Sequence, residues 1–493
     1  MSQRSPRPAI RRGTYLAAVA LVLVLAACKK GPDFEPPTPA TPTAFRSDTS
    51  SGESVANTDW WDLYQDPALQ SLIRAGLNNN RSIREAMARI NEARASLGIV
   101  RADLYPQVNL GGSGLYQGVL GSDSASAFDN AKIVLAASYE IDLFGRIART
   151  NEAALQGLLA TEEVFRAVTI ALVSDIARAY LGLRDIDARI AIAEGTIDAN
   201  RASVSILSSR ADGGLVAGVD VNRARIGLAD TEAIMQKLIR ARALTENVIS
   251  LLVGELPSDV QRGATLADQL FPPSVPAGLP SELLRRRPDV LAVERALHAQ
   301  TAAIGVAEAA RFPSLSLTSS VGAKSSSLGE FVSSNFFITL GANLFGPIFN
   351  SGKSKARVEV ERARTEQVLN QYEMVVLNAF REVDDALSSV ETYRLEHEAR
   401  LRQLSAAQDA LGSIEALYDG GMVSYMEVLD LQKGVFGTQL MASEALQLHH
   451  SSIVQLYKAL GGGWSPPAQE ADTADTSEGE SGRPLPRGGT EAS

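Results

Sequence analysis

The sequence predicts a mainly α-helical chain built from one duplicated unit, each copy carrying two β-strands and a long coiled-coil hairpin. Three observations lead there. The first is an internal repeat at an offset of 207 residues, in which Gly98, Tyr105-Pro106 and Val108 return as Gly305, Phe312-Pro313 and Leu315. The second is apolar residues seven apart over long, proline-free stretches. The third is strict period-two alternation in segments just ahead of those stretches. Heptads indicate helices packed as coiled coils, and a period of two indicates strands with two different faces.

The repeat extends through most of the chain. Asp212-Gly213-Gly214 parallels Asp419-Gly420-Gly421, Gly227 parallels Gly434, and Val253-Gly254 parallels Leu460-Gly461. Leu143-Phe144-Gly145 matches Leu344-Phe345-Gly346 at an offset of 201, so the copies differ locally in loop length. This divides the chain into residues 61–267 and 268–464, two structural repeats and not a solenoid. Each repeat opens with a helix, predicted over about 68–103 and 288–309. β-Hairpins follow at 107–143 and 314–345. In the first, Ile133, Leu135, Ala137, Tyr139, Ile141 and Leu143 alternate with small or polar partners. In the second, Phe336, Ile338, Leu340, Ala342 and Leu344 do so.

Next come the heptads. Leu183, Ile190, Ile197 and Val204 mark one long helix, and Leu369, Val376, Val383 and Val390 mark its counterpart. Residues 147–211 lack proline and, if helical throughout, reach roughly 100 Å at about 1.5 Å per residue. A Gly-Gly turn then reverses the chain into a second helix, predicted from Val219 to Leu252 and from Glu427 to Leu460.

The N-terminus reads as an export signal. Arg4, Arg7, Arg11 and Arg12 precede an uncharged run, Tyr15 to Ala27, too short for a comfortable transmembrane span. The run ends Leu25-Ala26-Ala27-Cys28, which resembles a bacterial lipobox, and Cys28 is the sole cysteine. Residues 1–27 are therefore expected to be removed. Cys28 is expected to carry N-acyl and S-diacylglycerol lipid. Lys29 in place of aspartate favours the outer membrane over the inner. Residues 28–60, with Pro and Thr concentrated in Gly31 to Thr43, read as an extended tether. Residues 465–493 read as a disordered acidic tail.

Removing a segment with four arginines and no acid takes the net charge from −10 to −14. An acidic chain is a poor match for nucleic acid. One cysteine excludes an intrachain disulfide and a cysteine cluster for metal. No cofactor or metal is expected, and no enzyme. His397-Glu398 lacks HExxH spacing, and His449-His450 are adjacent. Ser351-Gly352-Lys353-Ser354 has Pro347 where a P-loop needs glycine.

No stretch after residue 28 is apolar enough for a transmembrane helix. A membrane-spanning form must then be a closed β-barrel. Four strands per chain fall short of the roughly eight at which membrane barrels begin, so several chains would have to pool strands. A soluble β-layer packed on helices has the same alternation. Periodicity leaves both open.

Longer motifs resemble the TolC-like outer-membrane factor family, in particular its lipoprotein branch serving RND-type efflux pumps. Trp60-Trp61-Asp62-Leu63-Tyr64-Gln65-Asp66-Pro67-Ala68-Leu69 resembles the family's opening motif. Ser138 to Ile147 resembles its strand-to-helix junction. Arg286-Arg287-Pro288-Asp289, running on to Ile304-Gly305-Val306-Ala307 and Phe312-Pro313-Ser314, resembles the start of its second repeat. The resemblance spans about residues 28–464. It implies a homotrimer with a twelve-stranded barrel in the outer membrane of a Gram-negative bacterium and a helical tunnel in the periplasm. Its implied partners are a periplasmic adaptor and an inner-membrane RND transporter, and its implied role is a passive exit duct for drugs, other small molecules or ions. The rival readings are a structural or adaptor coiled-coil lipoprotein, which lacks paired β-hairpins, and a lipoprotein enzyme.

The resemblance also assigns working residues. Ser424 to Lys433 is similar to the family's periplasmic gate. Tyr425 lies within it, Met426 falls at the apolar constriction, Asp430 at the acidic ring, and Lys433 where a basic residue pairs. The turn residues Gly213, Gly214, Leu215 and Val216, with Gly420, Gly421, Met422 and Val423, are expected at the coiled-coil tips, where an adaptor docks. An ordinary i,i+3 surface pair at Asp430 and Lys433, and simple helix connections at the tips, are the plainer alternatives.

Overall fold

A computed structural model describes residues 29–46, 65–115, 130–270, 280–325 and 335–462. The predicted signal segment, Cys28, the Trp60–Tyr64 part of the opening motif, residues 116–129 and 326–334 between paired strands, and the acidic tail lie outside these residues.

The first repeat contains α1 (Pro67–Asn79), α2 (Arg81–Ala102), β1 (Gln107–Leu115), β2 (Asn130–Ile141), α3 (Arg146–Asp212) and α4 (Gly218–Val253). The second contains α5 (Pro280–Arg286), α6 (Pro288–Ala309), β3 (Ser314–Ser325), β4 (Asn335–Phe345), α7 (Lys353–Asp419) and α8 (Tyr425–Ala459). The counterparts α3 and α7 each run 67 residues, about 100 Å of continuous helix. The heptad positions form their buried seams: Leu183, Ile190, Ala193 and Ile197 on α3, and Tyr372, Val376, Ala379, Val383 and Ala386 on α7. Among the described residues no helix is long and apolar enough to cross a membrane.

The opening helix of each repeat is broken, contrary to the single helix expected over 68–103. Asn80 has φ −57° and ψ 134°, ending α1 and starting α2. Its carboxamide caps α2 by accepting from Ser82 N (2.7 Å) and Ile83 N (3.2 Å), while its Nδ2 donates to the carbonyl of Leu252 at 2.8 Å. Arg287 occupies the equivalent break, 207 residues on, and its guanidinium donates to the carbonyl of Ala459 at 2.9 Å. Leu252 and Ala459 are themselves 207 apart. Two unlike side chains thus make the same tie from helix break to hairpin end. A four-residue helical period continues across such a break, so periodicity cannot reveal it.

All four strands form one sheet in the order β1-β2-β3-β4, each pair antiparallel. The sheet is open, with β1 and β4 as its edges. Each 67-residue helix begins beyond the second strand of its hairpin, so the sheet caps one end of the helical body.

The stretch read as an extended tether is packed against the body from residue 29 to 46. Lys30 N donates to the carbonyl of Phe144 at 3.1 Å. The Arg149 guanidinium, 2% exposed, donates to the carbonyls of Lys30 and Gly31 and pairs with Asp33 at 2.6 Å. Phe34 stacks on His298 with ring centroids 4.4 Å apart. Phe45 is buried in the cluster containing Phe380 and Val383. The segment has neither helix nor strand, but it is docked by side chains more than 100 residues away in sequence.

Candidate functional site

The sheet sorts its side chains by face. One face carries the rows Val108–Ala137–Ser319–Leu340, Leu110–Leu135–Val321–Ile338 and Gly112–Ile133–Ala323–Phe336. Leu110, Ile338, Leu340 and Phe336 on this face are each at least 70% exposed. The other face carries Gln107–Ser138–Thr318–Gly341 and Asn109–Ala136–Ser320–Thr339. In water an exposed apolar band of this size is unfavourable, so the face requires a partner or a lipid phase. Outward apolar and inward polar side chains are what a barrel wall in a membrane needs.

At the far end of the helices, both tips close by the same backbone motif. Leu215 N donates to the carbonyl of Arg210 (2.8 Å) and Gly214 N to that of Ala211 (2.9 Å). Met422 N and Gly421 N repeat this with Leu417 (2.9 Å) and Tyr418 (2.9 Å). Gly214 and Gly421 have φ of +71° and +72°, the left-handed conformation this helix end demands. Gly213 and Gly420 precede them with negative φ. Leu215 (78%) and Met422 (68%) project into solvent, and Val216 and Val423 are half-buried. Gly421→Ala places a Cβ in the left-handed region at a cost of about 1–2 kcal/mol. Amide exchange in the last turn of α7 should then accelerate roughly ten-fold with little change elsewhere. Unchanged exchange would show that the turn does not need glycine.

The predicted gate segment opens α8. Met426, Asp430 and Lys433 are exposed and lie four and three residues apart, so they share one stripe of the helix. The i,i+3 salt bridge of the plainer reading is not formed: the lysine salt bridges among the described residues are those of Lys29 and Lys355. Both charges therefore face outward from the chain. Tyr425 is placed differently. It is 6% exposed and packs inward with Val428 and Leu429 against Leu207, Val221 and Ala224 of the other hairpin. Burial pushes its phenol above the usual range, as do the nearby Tyr418, Asp220 and Glu415, against an opposing hydrogen bond with Ser203. Tyr425 therefore supports the stripe from behind.

Two contacts near the tips were not legible beforehand. Tyr418 meets Tyr425 edge-on at 5.6 Å, and the Arg210 guanidinium stands 5.7 Å over the Tyr418 ring. They tie the end of α3 to both helices of the second hairpin. His397, His449 and His450 do not form a catalytic group. His397 Nδ1 lies 3.2 Å from the carbonyl of Ala442, and burial pushes His450 down to about 3, so it is neutral within the helical interface. Among the described residues no group of three or more His, Cys, Asp or Glu side chains is arranged to hold a metal.

Known proteins share this architecture. The sequence pattern of the family described as "Outer membrane efflux protein" matches residues 72–255 and 279–462, one match per repeat. The chain belongs to the outer membrane efflux protein family. The cation efflux system protein CusC of Escherichia coli (strain K12) is 34% identical over 448 residues, covering 90% of this chain and 98% of that protein. The probable outer membrane lipoprotein SilC of Salmonella typhimurium is 31% identical over 456 residues, covering 91% and 98%. A crystal structure of CusC superposes with a TM-score of 0.81, at 34% identity over 88% of this chain and all of that one. The chain is thus an outer membrane efflux protein of TolC-like fold, and its family is one of transport ducts and not of enzymes. The alternation of its sheet is that of an efflux-channel wall, which removes the soluble β-layer reading.

Proposed function

We propose that this protein is the outer-membrane exit duct of a tripartite, RND-type efflux system, working as a homotrimer lipidated at Cys28. The observation that carries the proposal is the open four-stranded sheet, apolar on one exposed face, with both edges unpaired among the described residues. Its edge strands β1 and β4 run in opposite directions. Pairing β4 of one chain with β1 of the next continues the antiparallel order and closes a barrel with an even number of strands. Three chains give twelve.

The duplication supports the same assembly. Within the chain α3 packs along α6. Their repeat counterparts are α7 and α2, which leave Met374, Leu377, Met87 and Ile99 exposed. Packing α7 on α2 of the next chain repeats the internal contact between subunits and closes a helical tube. The tips Gly213 to Val216 and Gly420 to Val423 then point away from the membrane toward a periplasmic adaptor, which links the duct to an inner-membrane transporter. Met426, Asp430 and Lys433 meet their copies near the axis and close the tunnel. The transporter supplies the energy and most of the cargo selection.

Lys30 is fixed at the junction of sheet and helices, so a lipid on Cys28 enters the membrane beside the barrel. It is an auxiliary anchor. Cys28→Ser should impair processing or targeting while leaving single-channel conductance of the reconstituted trimer within about two-fold of the parent. A Cys28→Ser trimer that failed to conduct would overturn that division of labour. The function as a whole is tested by extracting the protein from outer membranes. A heat-modifiable trimer that conducts in planar bilayers is expected, and a monomer without conductance would sink the proposal. Profiling drug and metal sensitivity of a deletion strain identifies the cargo.

A further inference from the structure

The polar face of the sheet carries one row whose charge any solute leaving through the barrel must pass. Lys132 of β2 stands directly opposite Lys324 of β3, with Ser113 of β1 in the same row. Both lysines are exposed, and neither is among the paired lysines, Lys29 and Lys355. Three strand residues are charged among those described. The third, Glu140, lies at the other end of the sheet and is held by Arg146 through two hydrogen bonds of 3.1 and 2.9 Å. Among the described residues the wall thus carries two positive charges per chain without an ion-pair partner, both at the end away from the helices.

Like charges directly opposite on neighbouring strands repel. Here they sit on the wet face, where mobile ions screen them. Phe337, on the next row inward, helps fix the position of Lys132. Its ring lies over Gly322, where a Cβ would come within 3.2 Å of Phe337 Cζ, and 5.3 Å from Lys132 Nζ. The ring face attracts the ammonium and holds it near the wall.

We infer that Lys132 and Lys324 form a cationic collar at the outer mouth of the barrel, which makes the mouth anion-selective and binds multivalent inorganic anions. The inference rests on the trimeric duct proposed above, in which three copies bring six lysines to one level. A twelve-stranded barrel has a backbone radius of roughly 12 Å, from a strand spacing of about 4.8 Å and a tilt of about 40°. Lysine side chains reach well inside that radius, and the Debye length is about 8 Å at physiological salt. The collar's field therefore covers the lumen to its centre. Anions concentrate there, and small cations outside meet a barrier to re-entry. Asp123, Asp129 and Glu330, in the sequence between the paired strands, lie outside the described residues.

The test uses the full-length channel in planar bilayers. Reversal potentials are measured under a KCl gradient, in the parent and in an Asp430→Ala, Lys433→Ala background whose periplasmic end no longer dominates. A chloride-over-potassium permeability ratio above unity is expected in that background. Lys132→Gln with Lys324→Gln should lower it about three-fold or more, and Lys132→Glu with Lys324→Glu should invert it. Hexametaphosphate added on the barrel side should block the parent, with affinity falling roughly ten-fold in the glutamine variant. Assembled, conducting variants with parental selectivity, or a block that survives the glutamine changes, would overturn the collar. A parent trimer that does not conduct would overturn the duct reading instead.

Discussion

Asp66→Ala should lower stability by about 3–5 kcal/mol, the largest single-residue effect we expect. Asp66 is 3% exposed and does two jobs. Its Oδ1 caps α1, accepting from Ala68 N at 2.8 Å, with Leu69 N at 3.4 Å. Its Oδ2 accepts from the Tyr180 hydroxyl (2.7 Å), Gln269 Nε2 (2.7 Å) and Ala264 N (3.1 Å). Alanine removes the cap and strands three donors in the core. Unfolding of the detergent-solubilised protein in guanidinium reports the loss, and a change below about 1 kcal/mol would show that water or a neighbour replaces the carboxylate.

The same site sets an acid sensitivity. Burial raises the Asp66 pKa, but hydrogen bonds from Tyr180, Gln269, Ala68 and Leu69 outweigh it and hold the carboxyl below its usual range. A group whose folded pKa is depressed stabilises the fold above its unfolded pKa, and this stabilisation is lost as pH falls through the folded value. Asp66→Asn should therefore flatten the stability profile on the acid side of about pH 4. An Asp66→Asn variant whose stability falls with acid as steeply as the parent's would place the sensitivity elsewhere.

Asp430→Ala with Lys433→Ala should raise single-channel conductance about two-fold or more, the largest functional effect we expect. Neither charge forms an ion pair among the described residues, and both share an exposed stripe with Met426. Near a three-fold axis, three carboxylates and three ammonium groups either bind across subunits or repel. Removing all six abolishes any latch between them and leaves Met426 as the remaining constriction, a side chain flexible enough to yield. The buried side of α8, Tyr425, Val428 and Leu429, is untouched, so the hairpin should stay folded. Parental conductance in an intact trimer would mean that these charges do not close the tunnel.

Where the sequence fell short, the reasons were a period that hides a break, the phase of one helix, and sequence distance. The break at Asn80 was invisible because buried Leu69, Ile73 and Gly76 before it and buried Ile83, Ala86 and Ile90 after it keep one helical period. Its counterpart, Arg287, shares no chemistry with asparagine. Only the common target, the hairpin end at Leu252 or Ala459, shows that the two are equivalent. Tyr425 was grouped with the gate by its neighbours in sequence, yet helical geometry turns it away from Met426 and into the core. The segment 29–46 carries no periodic pattern, and its anchors Arg149, His298 and Phe380 lie far along the chain.

The sequence by itself determined the duplication, the long helices, the four strands and the two glycine turns. Each of these is written in local period or in a backbone conformation that few residues adopt. Only the tertiary structure decided which face of the sheet aligns Lys132 with Lys324, which side of α8 is buried, and where the N-terminal segment docks. Those depend on register and on contacts between residues hundreds of positions apart, and a one-residue shift in register would have turned every strand side chain to the opposite face.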